Sequence, residues 1–256
     1  MSSDSPTVPD AVRVRTALLW GGLCHGAFAL GGGAMALAMW FGLSRSLGPF
    51  ETPWSWVANA ALIAQFPLAH SLLLTPRGQR LLARLAPRPY GRDLATTTYA
   101  LIASLQLLAL FALWSPSGVV WWRAEGWALW LMGGLYAGAW ALLGKATWDA
   151  GPELQSGFLG WWAVLRGRRP VFPDMPERGL FRHTRQPIYV AFALTLWTTP
   201  TWTPDQLALA IFWTAYCVLG PLHKEARFAR IFGARFAAYR ARVPYWLPTL
   251  KGRRHG

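Results

Sequence analysis

Charged and aromatic residues that could bind a small zwitterionic ligand occur in two short stretches of the C-terminal third of the chain. Arginine binds carboxylates, glutamate binds ammonium groups or ribose hydroxyls, and tyrosine offers a stacking face and a hydroxyl. The combination suits a ligand with an aromatic base, a carboxylate and a cation. The residues are Arg182, His183, Arg185, Gln186 and Tyr189 in the first stretch, and His223, Glu225, Tyr239 and Arg242 in the second.

A simpler interpretation of the same residues needs no ligand. The arginines would anchor the chain at a membrane surface, and Glu225 would pair with one of them. The residues alone leave both interpretations open.

Two apolar runs, Pro187–Thr199 and Gln206–Leu222, separate the stretches, with the turn TTPTWTPD between them. If the runs form a hairpin, both polar stretches emerge on the same side of the membrane. Proline is favourable at the first position of a helix. The N-terminus of a helix that begins at Pro187 would attract an anion.

The composition predicts an all-α, polytopic membrane bundle. Of the residues, 54% are hydrophobic and 14% charged, whereas soluble domains average about 25% charged residues. A membrane span needs roughly 20 mainly apolar residues, and we expect about six spans within a transmembrane domain at residues 16–222. The predicted spans are Thr16–Leu43, Trp54–Thr75, Leu94–Trp114, Gly126–Trp148, and the two runs of the hairpin.

The basic residues predict the orientation. With the N-terminus in the cytoplasm, 22 of the 25 Lys and Arg residues fall on the cytoplasmic side, as the positive-inside rule requires. We therefore expect a bacterial inner-membrane protein with both termini in the cytoplasm. We expect residues 1–15 to be disordered, and residues 223–256 to form a basic cytoplasmic segment with an amphipathic helix.

The net charge of +14 does not indicate nucleic acid, because the basic residues lie in short loops between apolar runs. Such residues suit the anionic surface of a lipid bilayer. A second amphipathic helix is predicted at the membrane interface before Pro87. Its arginines are Arg77, Arg80 and Arg84, and the opposite face carries Leu81, Leu82 and Leu85.

The motif GLFRHTRQPIY resembles that of the isoprenylcysteine carboxyl methyltransferase superfamily. The family pattern is RHPxYxG, then a Glu-Glu pair, FGxxYxxY and a terminal Val-Pro with a later Pro. Here Glu225, Gly233, Tyr239 and Arg242 follow the hairpin, and then Val-Pro and Pro248. The segments AHSL, TTTYALIASLQLLALFALW and TPTWTPDQL resemble the branch of bacterial methanethiol S-methyltransferases and NnrU-like proteins.

This resemblance implies a membrane methyltransferase that uses S-adenosylmethionine at its cytoplasmic face. A small thiol or another lipophilic acceptor would arrive through the bilayer. His70 would line the acceptor pocket. The implied cofactor-binding residues are His183, Arg185, Gln186, Tyr189, Glu225, Tyr239 and Arg242. The resemblance identifies no catalytic base, no metal, no protein partner and no particular acceptor.

Three residues depart from the family motif. Gln186 replaces its histidine, Lys224 its first glutamate, and Ala191 its glycine. A glutamine cannot titrate near neutral pH, a lysine reverses the charge, and an alanine can crowd a close backbone approach. The departures suggest a second hypothesis, a non-catalytic NnrU-like accessory protein on the same scaffold. His183 or His223 could substitute for the missing histidine.

Two histidines lie within predicted spans, His25 and His70. Ionisable residues inside a membrane are functional candidates, and histidines on two helices could ligate a haem. A haem or quinone protein is therefore a third hypothesis. The alternative is a neutral histidine that forms hydrogen bonds between helices. Cys24 and Cys217 indicate neither a disulfide framework nor a zinc site.

Overall fold

The computed structural model describes residues 9–247, which form nine α-helices and one two-stranded ribbon. The strands β1 (Trp122–Arg123) and β2 (Thr201–Trp202) pair antiparallel. The prediction of an all-α bundle is confirmed. The helices are α1 (Asp10–Trp40), α2 (Trp54–Leu73), α3 (Pro76–Leu85), α4 (Ala95–Ala112), α5 (Gly126–Asp149), α6 (Pro152–Gln155), α7 (Phe158–Leu165), α8 (Pro187–Trp197) and α9 (Pro204–Arg242).

Within the described residues, five helices are long and apolar enough to cross a membrane: α1, α2, α4, α5 and α9. They expose large apolar side chains such as Leu30, Leu68 and Trp130. A helix that is apolar all round is stable where lipid or protein covers it. Exposed tryptophans at helix starts, including Trp54 and Trp127, match the aromatic belt of membrane interfaces. The chain is a multi-pass membrane protein.

Helices α2, α4 and α5 begin and end within two residues of the predicted spans, but α1 begins at Asp10. Residues 10–15, which were expected to be disordered, are therefore helical. Arg13 holds this turn, because its guanidinium pairs with Asp10 at 3.0 Å and donates to the carbonyls of Val164, at 2.9 Å, and Leu165. The expectation for residues 1–8 lies outside the described residues.

The predicted hairpin has unequal arms. Helix α8 has 11 residues and is about 16 Å long at 1.5 Å per residue, which is shorter than the roughly 30 Å of a hydrocarbon core. Helix α9 has 39 residues and includes both the last predicted span and the predicted C-terminal amphipathic helix. The two were expected to be separate. Gly233 interrupts α9 with φ 49° and ψ −122°, a conformation that favours glycine.

The described chain forms two compact units. The first consists of residues 9–35, 64–113 and 152–173. Its helices are joined by polar contacts as well as by packing. The Gln106 amide nitrogen donates to Gln65 Oε1 at 2.6 Å, and Trp20 Nε1 donates to Thr98 Oγ1 at 2.9 Å. Such contacts hold apolar helices together where lipid is the solvent.

Helix α3 belongs to the first unit and begins with a side-chain cap. Thr75 accepts a hydrogen bond from the Gly78 N–H at 3.1 Å, and Pro76 occupies the first helical position. Of its predicted apolar face only Leu82 is fully buried, whereas Leu81 and Leu85 are about half exposed. The helix that the sequence predicted before Pro87 is therefore present, at Pro76–Leu85.

The second unit consists of residues 36–63, 114–151 and 174–247. Helix α8 packs against both α5 and α9. A 3-10 turn at Gly179–Arg182 precedes α8 and is fixed to the end of α5, because the Leu180 N–H donates to Asp149 Oδ2 at 2.9 Å. Gly179 has φ +58°, and a Cβ atom there would lie 2.2 Å from that carboxylate. This position requires glycine.

Candidate functional site

A buried ion pair joins the start of α8 to the middle of α9. Arg185 Nε donates to Glu225 Oε1 at 2.7 Å, and its Nη2 donates to Glu225 Oε2 at 3.2 Å. Each residue is only 9% exposed. The two parallel bonds form a bidentate pair, which fixes direction as well as distance. The motif residue before α8 and the glutamate of α9 therefore lie together.

Gln186 and Lys224 extend this ion pair into a polar network. Gln186 is 1% exposed. Its Nε2 donates to Glu225 Oε1 at 3.0 Å, and its Oε1 accepts from Lys224 Nζ at 3.1 Å. The lysine thus fixes the orientation of the amide, because only the amide oxygen can accept its proton. Two of the departures from the family motif are in direct contact with each other.

Arg185 also caps the C-terminal end of α9. Its Nη1 donates to the carbonyls of Val243 at 2.6 Å and Arg240 at 3.2 Å. The last carbonyls of a helix have no partners within the helix, and a cation is favourable there. The backbone N–H of Arg185 donates to the Pro244 carbonyl at 2.9 Å. One arginine therefore holds the helix end and the segment that follows it.

The segment after α9 returns along the helix and bonds to a backbone carbonyl that Pro221 leaves free. Pro221 has no N–H, so the carbonyl four residues earlier, that of Cys217, loses its helical partner. Trp246 Nε1 donates to this carbonyl at 3.1 Å, and the Tyr245 hydroxyl donates to Val218 O at 2.5 Å. Burial raises the pKa of Tyr245 to about 12, so this hydroxyl keeps its proton at neutral pH.

Thr184 ties the returning segment to the start of α8. Its hydroxyl donates to the Trp246 carbonyl at 2.8 Å and accepts from the Gln186 N–H at 3.2 Å. Sequence analysis missed Thr184, Tyr245 and Trp246, and it treated Lys224 only as a reversed charge. A threonine three residues before a helix-starting proline was the available signal for Thr184, because such hydroxyls bond to nearby backbone.

Tyr239 lies beside the network in an apolar cluster with Met175, Phe236 and Val243. Its hydroxyl donates to the Phe181 carbonyl at 2.7 Å. This bond and the burial of the ring fix α9 to the 3-10 turn. The side chain positions the frame of the site rather than the network itself.

Arg242 is exposed and points to a different partner. Its Nη2 lies 3.5 Å from Glu177 Oε2, next to ion pairs of Arg235 with Asp174 at 2.6 Å and with Glu177 at 2.8 Å. The hydrogen bond to Arg235, together with that to the Met175 N–H, lowers the pKa of Asp174. These exposed pairs hold the segment before the 3-10 turn on α9.

The remaining predicted residues of this region lie apart from the network. His183 and His223 are exposed, and among residues 9–247 neither hydrogen-bonds to Arg185, Gln186 or Glu225. Tyr189 is half-buried in the first turn of α8. Of the predicted cofactor residues, the structure therefore joins Arg185, Gln186 and Glu225 in one network. Ala191, the third departure, is fully buried in α8, so its methyl group is accommodated.

The two intramembrane histidines belong to the first unit. His25 Nε2 accepts a hydrogen bond from Trp161 Nε1 at 3.0 Å, which joins helices α1 and α7. His70 stacks on Phe66 at 5.0 Å between ring centroids and lies 4.9 Å from the ring of Tyr99. The bond to Trp161 occupies one of the two nitrogens with which His25 could ligate a haem.

Fold and site together define a polytopic, all-helical membrane protein with a buried, charged network at the start of its short apolar helix. Its sequence is 30% identical over 198 residues to methanethiol S-methyltransferase 2 of Bradyrhizobium diazoefficiens, covering 77% of this chain and 75% of that one. It is 28% identical over 199 residues to the methanethiol S-methyltransferase of Mycobacterium tuberculosis, covering 75% and 78%. Nurim of Rattus norvegicus is 31% identical over 175 residues, 64% of each chain.

The chain belongs to the methanethiol S-methyltransferase family, within the isoprenylcysteine carboxyl methyltransferase-like proteins. The predicted resemblance is confirmed. No family model and no solved structure matches the chain. Membership of this family supports a membrane methyltransferase, and a methyltransferase implies a methyl donor.

Proposed function

We propose that this protein is an integral membrane methyltransferase that transfers a methyl group from S-adenosylmethionine to a small thiol or another lipophilic acceptor. It acts in the bacterial inner membrane, with both termini and the Arg185 network at the cytoplasmic face. The acceptor reaches the site from the bilayer. Methanethiol is the first acceptor to test, because relatives bear that name.

The observation that carries the proposal is the set of donors left unused in the network. Lys224 Nζ uses one of its three N–H groups on Gln186, and the Gln186 amide uses one of two on Glu225. The first-turn N–H groups of α8 lack partners within the helix. Gln186 directly precedes α8, and a helix N-terminus favours an anion. These donors fit the carboxylate of an amino-acid ligand.

The rest of the donor set also fits this ligand. The Tyr189 hydroxyl forms no hydrogen bond within residues 9–247, and its ring is half-buried in the first turn of α8. Lys224 lies 5.6 Å and 5.5 Å from the rings of Phe181 and Phe228. Aromatic faces suit an adenine ring or a cation. When bound, S-adenosylmethionine supplies a methyl group already activated by a sulfonium centre.

The chain's own residues need not supply acid–base chemistry. Arg185 and Glu225 neutralise each other and hold α8 on α9, so their role is to position the frame. A thiol attacks as the thiolate, and the positive charge of Lys224 favours that form. Gln186 cannot titrate, but it orients one N–H toward Glu225. Positioning and exclusion of water then account for the catalytic task.

Calorimetry of S-adenosylmethionine and S-adenosylhomocysteine with the detergent-purified full chain tests the proposal. We expect a micromolar Kd for either ligand. Lys224→Met should weaken binding about tenfold or more, because a hydrogen bond to a charged group contributes about 1.5–3 kcal/mol. Lys224→Arg, the matched control, keeps the charge and should bind within about threefold of wild type.

Absence of binding in a folded sample would overturn the proposal and favour the non-catalytic accessory hypothesis. If binding is found, transfer of labelled methyl groups to methanethiol and longer thiols identifies the acceptor. Equal binding by wild type and Lys224→Met would remove the lysine from the site but leave the methyltransferase proposal standing.

A further inference from the structure

An arginine-lined cavity lies in the first unit, and none of the proposed cofactor residues lines it. Its volume is about 760 Å³, within the roughly 300–1,000 Å³ of ligand pockets. Five arginines and a single acidic residue are among the residues that line it. They are Arg80 and Arg84 of α3, Arg88 and Arg92 of the loop before α4, Arg169 after α7, and Asp93.

Within the described part of the chain, the arginines of this cavity are not neutralised. Among residues 9–247, no ion pair and no hydrogen bond engages any of the five side chains, and Asp93 forms no ion pair. Arg13 of the same unit, by contrast, has a carboxylate and two carbonyls as partners. Like charges around one cavity repel each other, and an anion in the cavity relieves that repulsion.

An apolar cavity shares a wall with the arginine-lined one. Its volume is about 610 Å³, and Arg80 lines both cavities. Leu72, Leu73 and Leu81 supply much of its lining. Leu81 is also 47% exposed. A ligand that fills both cavities must carry an anionic group and an aliphatic chain.

We propose that the two cavities together bind one anionic phospholipid, with the phosphate among the five arginines and an acyl chain against the leucines. Charge complementarity favours this occupant. The bilayer in which this protein resides supplies molecules with both parts, and basic pockets near a membrane surface bind anionic head groups. All five arginines are exposed, but they differ from a diffuse basic surface in that they line one cavity.

Native mass spectrometry of the delipidated full chain can test this assignment. The probes are phosphatidylglycerol, phosphatidylcholine with the same acyl chains, and deacylated glycerophosphoglycerol. We expect phosphatidylglycerol to be retained at least fivefold over phosphatidylcholine, with negligible retention of the deacylated head group. An R84Q/R88Q variant should lose most of this preference, since each arginine near anionic lipid contributes roughly fivefold.

The matched control is an R15Q/R168Q variant, which removes the same charge from exposed arginines of the same unit that line neither cavity. It should keep the preference for phosphatidylglycerol. Arg169→Gln, on a different segment from Arg84, should lower the preference in the same direction. The second variant guards against a local folding defect in α3.

Three results would each overturn the assignment. Equal loss in the control variant would mean diffuse surface electrostatics. Equal retention of the deacylated head group would mean a site for soluble anions. No preference between the two phospholipids in the wild type would mean that the cavity does not select an anion.

Discussion

Two buried carboxylates on α9 are satisfied in opposite ways. Asp205, in the first turn, accepts only neutral donors within residues 9–247: Trp114 Nε1 at 3.1 Å, the Ser117 N–H at 2.9 Å and the Ser117 hydroxyl at 2.6 Å. Glu225, far from the helix start, accepts from the guanidinium of Arg185 and the amide of Gln186.

The helix dipole explains the difference. A carboxylate in the first turn is stabilised by the positive end of the helix and needs no cation. Mid-helix, this help is absent, and a buried charge requires a paired cation. The donors around Asp205 are uncharged, whereas the cations gathered around Glu225 keep unused N–H groups. The start of α9 is thus a structural contact, whereas its middle belongs to the site that we propose for the ligand.

The largest expected effect comes from Glu225→Ala. The substitution leaves the Arg185 guanidinium buried without a counter-charge, which should cost about 3–5 kcal/mol. We expect a large fall in the thermal unfolding temperature in detergent and loss of S-adenosylmethionine binding. Glu225→Gln is the control, since it keeps an acceptor oxygen and should unfold at an intermediate temperature. Wild-type stability of the alanine variant would show that this ion pair does not hold α8 on α9.

A medium effect on stability alone is expected for Asp205→Asn. The asparagine has one acceptor oxygen instead of two, so a donor from Trp114 or Ser117 loses its partner, at about 1–3 kcal/mol. The unfolding temperature should fall, while the Kd of S-adenosylmethionine should stay within about twofold of wild type. A loss of binding like that expected for Glu225→Ala would mean that the start and the middle of α9 are not separable.

The smallest effect is expected for Arg235→Gln, which breaks the exposed pairs with Asp174 and Glu177. Exposed ion pairs are weak because water screens them, so no measurable change in unfolding temperature is expected at pH 7. Because Arg235 lowers the pKa of Asp174 below its ordinary value of 3.8, any stabilisation is present above that pH. It is lost as the pH falls through the lower folded value.

A pH series of unfolding temperatures for the wild type and Arg235→Gln provides the measurement. We attribute the large expected effect at Glu225 to the burial of its ion pair. A clear fall in the unfolding temperature of Arg235→Gln at pH 7 would contradict this view, because it would show that exposed ion pairs stabilise the protein as well.

Much of the fold could be predicted from the order of apolar runs and breakers. Trp54, Gly126 and Pro187 each begin a helix where the sequence predicted one. Long apolar runs have few alternatives in a membrane, because every backbone group must be paired inside the segment. The motif spacing also indicated that Arg185, Gln186 and Glu225 would lie close together.

Other features depend on contacts between distant segments. Arg242 was grouped with the cofactor residues, yet it pairs with Glu177. Lys224 was taken as a charge that opposes the motif, yet it donates to Gln186. No local pattern reveals which of several carboxylates or amides an arginine or lysine will meet, because that choice is made by packing across tens of residues.

The amino-acid order thus specifies a multi-pass helical protein of this family and the three residues at the centre of its network, because hydrophobic length and motif spacing are local properties. The folded chain assigns their partners. It joins the last span to the C-terminal helix in α9, turns the chain back onto the carbonyl that Pro221 frees, and makes Arg185 the cap of α9. These outcomes depend on which unpaired backbone groups meet, and only three-dimensional packing brings them together.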